Sequence, residues 1–94
     1  MDAKETFLRH SEEELGSLRE RLGELQSESR GASPELTIGY ATQLEELEEK
    51  SRHAAERVQD LRDADAEDWP NLMDDVETAL MDLKTALDVA CTRF

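Results

Sequence analysis

The chain is poor in the residues that make cross-links, turns and aromatic sites: one cysteine, two prolines, four glycines and four aromatics in 94 positions. Cys91, standing alone, forms neither an internal disulfide nor a thiolate zinc site. No run approaches the roughly 18 consecutive apolar residues that a spanning helix needs. Basic residues are also scarce, 11 against 24 acidic ones, for a formal charge of −13 at pH 7. The deficit persists along the chain: residues 1–31 carry five basic and eight acidic groups, 32–66 four and nine, 67–94 two and seven. Binding to nucleic acid or to anionic lipid requires basic groups that displace counterions, so neither partner is expected. Met1-Asp2-Ala3-Lys4-Glu5 lacks the basic-then-apolar pattern of a signal peptide, and a cytoplasmic protein is expected.

What is present is a repeating apolar pattern. Apolar and small residues recur in alternating steps of three and four, the spacing of helices packed side by side. The first series is Leu8, Ser11, Leu15, Leu18, Leu22, Leu25, Ser29, Ala32; the second is Tyr40, Leu44, Leu47, Ser51, Ala54, Val58, Leu61. The third is Trp69, Met73, Val76, Leu80, Leu83, Leu87, Ala90, Phe94, widened by Leu72, Ala79 and Ala86 so that it reaches two partners at once. The spacing predicts helices over residues 3–30, 34–66 and 70–93 in one domain spanning 1–94. Short connections make neighbours antiparallel. The expected fold is all-α: an up-down-up three-helix bundle with coiled-coil packing. Helices one and two carry narrow stripes, and the second is long enough to overhang the third, features that favour self-association.

The residues between the series agree. Asp2 with Glu5 reads as a capping box for helix one. Ser11 with Glu14 repeats the pattern, which allows the first turns to fray and the helix to restart there. Gly31 is placed to end helix one in the left-handed conformation. Ser33-Pro34-Glu35 reads as an N-cap, a proline at the first helical position and an acid at the positive end of the dipole. Pro70 pushes Trp69 out of helical geometry, so helix three starts around residues 68–71. Glu5–Arg9, Glu46–Lys50 and Glu48–Arg52 are acid-before-base pairs four residues apart, whereas Glu20, Glu24 and Glu28 form a like-charged row.

Sites for chemistry are not evident. His10 and His53 are the only histidines, and the residues three before them, Phe7 and Lys50, are not the glutamates of a carboxylate di-iron bundle. His53 with Glu49, or His10 with Glu14, supplies two ligands, too few for a structural metal. The acidic runs Glu12-Glu13-Glu14, Glu45-Glu46-Leu47-Glu48-Glu49 and Asp74-Asp75 lack the glycine-bent loop that converges oxygens on a cation. Cys91 has no histidine near it in sequence and reads as a packed thiol. No phosphate loop, nucleophile elbow or dinucleotide fingerprint is present. Neither an enzyme nor a cofactor is expected.

Trp69, Leu72, Met73 and Met81 remain as candidate partner contacts. Trp69 at a bundle mouth either docks a partner or caps the open end of the core, and its seam position favours the cap; Met81 lies off the seam. The run Trp69-x-x-Leu72-x-x-x-Val76-x-x-Ala79-Leu80-x-x-Leu83-x-x-Ala86-Leu87-x-x-Ala90-x-x-Arg93-Phe94 resembles the C-terminal helix of a loose group of short bacterial coiled-coil proteins, some labelled stress-response proteins. Those chains similarly carry a charged hairpin ahead of a tryptophan-led helix. This chain differs in being more acidic and in placing Pro70 directly after the tryptophan. The resemblance implies a coiled-coil fold and no catalytic or binding residues. The expected function is protein–protein contact, first with further copies of the chain itself. The alternative is an acidic regulator or inhibitor of a basic protein, of the nucleic-acid-mimic type.

Overall fold

The computed structural model describes residues 3–31 and 34–93, and the side chains of these other than 34–38 and 93. Three helices follow one another, α1 (Ala3–Arg30), α2 (Pro34–Asp63) and α3 (Trp69–Arg93). At the usual rise they are about 42, 45 and 38 Å long, and together they make a rod of 51 × 19 × 18 Å. Contacts from α1 to α2 run backwards along the chain. Glu12 meets Arg62, Arg19 meets Ser51 and Gln26 meets Glu48, so the first two helices are antiparallel. The short turn after Asp63 returns α3 along both of them, completing an up-down-up bundle in which each helix touches the other two.

The heptad positions form the core. Leu15, Leu18, Leu22 and Leu25 of α1 meet Leu47, Ala54, Val58 and Leu61 of α2 and Val76, Leu80, Leu83 and Leu87 of α3, all buried. Every other described seam position is buried or half-buried, including Leu8, Ser29, Leu44, Trp69 and Met73. The wider face expected of α3 is present: Ala79 is buried, and Leu72 and Ala86 pack against the core. Phe7 and Ala55, off the heptad series, also pack against it. The narrow stripes of α1 and α2 thus meet within one chain. Seam positions Ala32 and Phe94 lie outside the described residues, as do the cap positions Asp2 and Ser33.

Four local expectations differ from the structure. Helix α1 does not restart at Ser11, which is 4% exposed and faces the core. Extending an existing helix adds a hydrogen bond per residue ordered, whereas a restart needs a new nucleus. Gly31 follows the last residue of α1 without a positive φ. Its N–H donates to the Glu28 carbonyl at 3.1 Å, a tightened turn that satisfies an orphan carbonyl without the left-handed conformation. Helix α2 stops at Asp63 rather than 66, because further acids at the negative end of its dipole would oppose each added residue. Trp69 is the first residue of α3, with Pro70 second; proline is tolerated in a first turn, where its missing N–H has no intrahelical partner to lose.

Backbone hydrogen bonds tie the α2–α3 corner together. Ala64 N–H donates to the Leu61 carbonyl at 3.3 Å, and the Asp65 carbonyl accepts from Asp68 N–H and Trp69 N–H, both at 3.1 Å. Lys4, near the start of α1, reaches across to this corner and donates from Nζ to the carbonyls of Arg62 and Ala64. A cation at the negative end of α2 satisfies orphan acceptors and complements the dipole. Replacing Lys4 with methionine keeps the stem and removes the donor; chemical denaturation should show a loss of about 0.5–1.5 kcal/mol.

Candidate interaction surface

The charged side chains mainly join helices. Arg21 Nη2 lies 2.7 Å from Asp88 Oδ1, Lys50 Nζ 2.9 Å from Asp82 Oδ2, and Arg62 Nη2 2.7 Å from Glu12 Oε2. Lys50, expected to pair with Glu46 on its own helix, meets α3 instead, and Glu48 accepts from Gln26 of α1 at 2.8 Å. The Arg21 guanidinium is held above its ordinary pKa by its hydrogen bond to Asp88 and then by its contact with Cys91; that of Arg62 is raised by Glu12. Each pair is exposed to solvent and adds little to stability; Arg21–Asp88 and Lys50–Asp82 mark the flanks of α3 that face α1 and α2. Within α2, Arg57 Nη2 lies 3.1 Å from Asp60, while Arg57 Nε is buried with no hydrogen-bond partner.

The sequence candidates do not assemble into one site. Trp69, Leu72 and Met73 sit half-buried at the start of α3, with Trp69 and Leu72 packed on the core, as a cap on that end of the bundle requires. Met81 is two to three turns further along and 59% exposed on the outer side. His10 and His53 are both exposed. His53 lines a shallow groove with Glu46, Glu49, Lys50 and Asp82. Among the described residues no group of three or more histidine, cysteine, aspartate or glutamate side chains is placed to hold a metal ion. Cys91 is not packed: it is exposed, with Sγ 3.8 Å from Arg21 Nη2. One helical turn beyond Leu87 it falls on the flank of α3 that borders α1, outside the core stripe. Among the described residues no helix is long and apolar enough to cross a membrane.

The three outward ridges differ. That of α1 carries Glu13, Ser17, Glu20 and Glu24, and that of α2 carries Glu45, Glu49, Arg52 and Glu56, all exposed. That of α3 begins at Asp74 and continues through Thr78, Met81, Thr85, Val89 and Thr92, all exposed and, from Thr78 onward, none charged. Met81 and Val89 are the large apolar side chains most open to solvent among the described residues, at 59% and 48%. The three threonines recur every seven residues, and Thr92 turns its hydroxyl back onto the Asp88 carbonyl at 2.9 Å. Sequence reading found Met81 and missed the rest of this ridge, because its spacing is visible only once the core face of α3 is subtracted.

The fold and this surface define an all-α three-helix bundle with one uncharged outer ridge. Comparison of the chain with protein-family models, curated proteins and solved structures gives no match.

Proposed function

We propose that this chain is a non-enzymatic, cytoplasmic helical protein that acts through protein–protein contact, above all by associating with further copies of itself. The observation that carries this reading is the uncharged ridge of α3 on a chain of charge −13. Two such chains repel each other over most of their surfaces, and exposed apolar groups gathered on one ridge favour contact there. The core closes within one chain, so self-association here joins folded monomers and does not complete a shared core. Light scattering on a sizing column should show the mean mass rising with protein concentration; an unchanged monomer mass to the highest attainable concentration would refute the reading.

The acidic ridges of α1 and α2 favour a second reading, an acidic regulator that engages a basic protein in the manner of a nucleic-acid mimic. Capture from lysate at low salt would then recover a basic partner that is released as added salt screens the charge.

A further inference from the structure

We infer that the outer ridge of α3 is the self-association surface, and that two copies pair through it as antiparallel helices about a two-fold axis at Thr85. This rests on the self-association reading above and says where and how the copies meet. Two acids bordering the ridge are already matched within the chain: Asp82, on the α2 flank, by Lys50 at 2.9 Å, and Asp88, on the α1 flank, by Arg21 at 2.7 Å; Glu77, beside Thr78, is in none of the described ion pairs. From Met81 to Thr92 the ridge is therefore uncharged in the middle and locally compensated at both edges. The glutamates along the outer ridges of α1 and α2 have no such compensation among the described ion pairs. A second copy of an acidic chain meets the least like-charge repulsion on α3.

The register follows from the order of residues along the ridge. With Thr85 opposite Thr85, Met81 of each copy lies level with Val89 of the other, and Thr78 level with Thr92. Both exposed apolar side chains are then covered, twice over. Lys84, exposed on the α1 flank, comes within two residues, about 3 Å of rise, of Asp88 on the same flank of the opposing helix. In an antiparallel pair like flanks face each other, so the two copies exchange a Lys84–Asp88 attraction on each side. Asp74, on the line of the ridge one turn before Thr78, falls beyond the end of the partner's α3, and Glu77 comes level with residue 93 at that end. A parallel pairing would instead set Asp74 against Asp74 on the line of the contact, leaving like charges opposed.

The contact is short. From Thr78 to Thr92 the ridge runs roughly 21 Å, and one helix face of that length covers less than the about 1,200 Å² at which specific, long-lived interfaces begin. The dimer is accordingly weak and exchanges readily with monomer.

Oxidative cross-linking tests the register. In a Cys91→Ser background, Thr85→Cys should form an interchain disulfide at concentrations where light scattering detects dimer. Thr78→Cys should not cross-link alone but should do so when mixed with Thr92→Cys. Glu56→Cys, on the ridge of α2, is the control and should stay reduced. Thr85→Glu places two carboxylates at the axis and should weaken the dimer by about tenfold or more, with helicity unchanged by circular dichroism. A protein that stays monomeric at every concentration would overturn both the self-association reading and this surface. A dimer that tolerates Thr85→Glu and cross-links as fast through Glu56→Cys would overturn the surface and leave self-association standing.

Discussion

Truncating Leu83 to alanine should lower the free energy of unfolding by about 2–5 kcal/mol. Leu83 is 0% exposed in the middle of α3 and packs where all three helices meet. Removing its terminal carbons forfeits their transfer free energy and leaves a void that leucines fixed on three rods cannot collapse to fill. A chain of this size is stable by roughly 5–14 kcal/mol, so a loss of this size removes a substantial share of that margin. Met81 supplies the contrast, two residues away on the same helix but 59% exposed. Met81→Ala should change stability by no more than about 0.5 kcal/mol. Urea unfolding of both variants at low protein concentration measures the difference. Similar losses at the two positions would mean that Met81 is buried in the stable form of the protein, or that Leu83 is not.

The second large effect runs in the opposite direction. Gly16 and Gly23 lie inside α1, away from its ends, and neither has a positive φ. A Cβ added at either position meets nothing within 4 Å. Each glycine loses more backbone freedom on folding than alanine does and gains nothing visible in exchange. Gly16→Ala and Gly23→Ala together should stabilise the protein by about 1–2 kcal/mol, raising Tm by roughly 5–15 °C. Gly16 borders the α1–α2 groove floored by Leu15 and Val58 and rimmed by Arg19 and Arg62. A loss of stability on substitution there would show that this groove closes more tightly than the described geometry.

The core was legible in the sequence because one physical rule sets both pattern and packing. Positions three and four apart share a helix face, and Leu18, Leu47 and Leu83 were assigned inward on that rule alone. The ends of helices were less legible, since they depend on partners remote in sequence. Helix α2 ends at Asp63, where Lys4, far away in the chain, supplies donors to the last carbonyls. Ser11 fits the capping pattern locally, yet the seam claims it for the core. Cys91 was misplaced for a related reason: it stands beside the seam residue Ala90, and one step around a helix separates buried from exposed.

Ion pairs follow the same division. Local spacing nominated Glu46 for Lys50, but packing places Asp82 of α3 within reach. The candidate surface was half legible. Met81 stood out as an apolar residue off the seam, while Thr78, Thr85, Val89 and Thr92 are unremarkable in composition and become a ridge only through their common direction on α3. Trp69, the most conspicuous residue in the sequence, is half-buried against the core and covers one end of the bundle.

Under the proposed function, folded monomers, each with its own closed core, associate reversibly. Mass by light scattering and helicity by circular dichroism, followed along one dilution series, test it together. Mass should fall from dimer toward monomer on dilution while helicity stays constant. Helicity that disappears as the mass falls would mean that the seams are shared between chains, and a monomer at every concentration would mean that the ridge of α3 does not join copies of this chain.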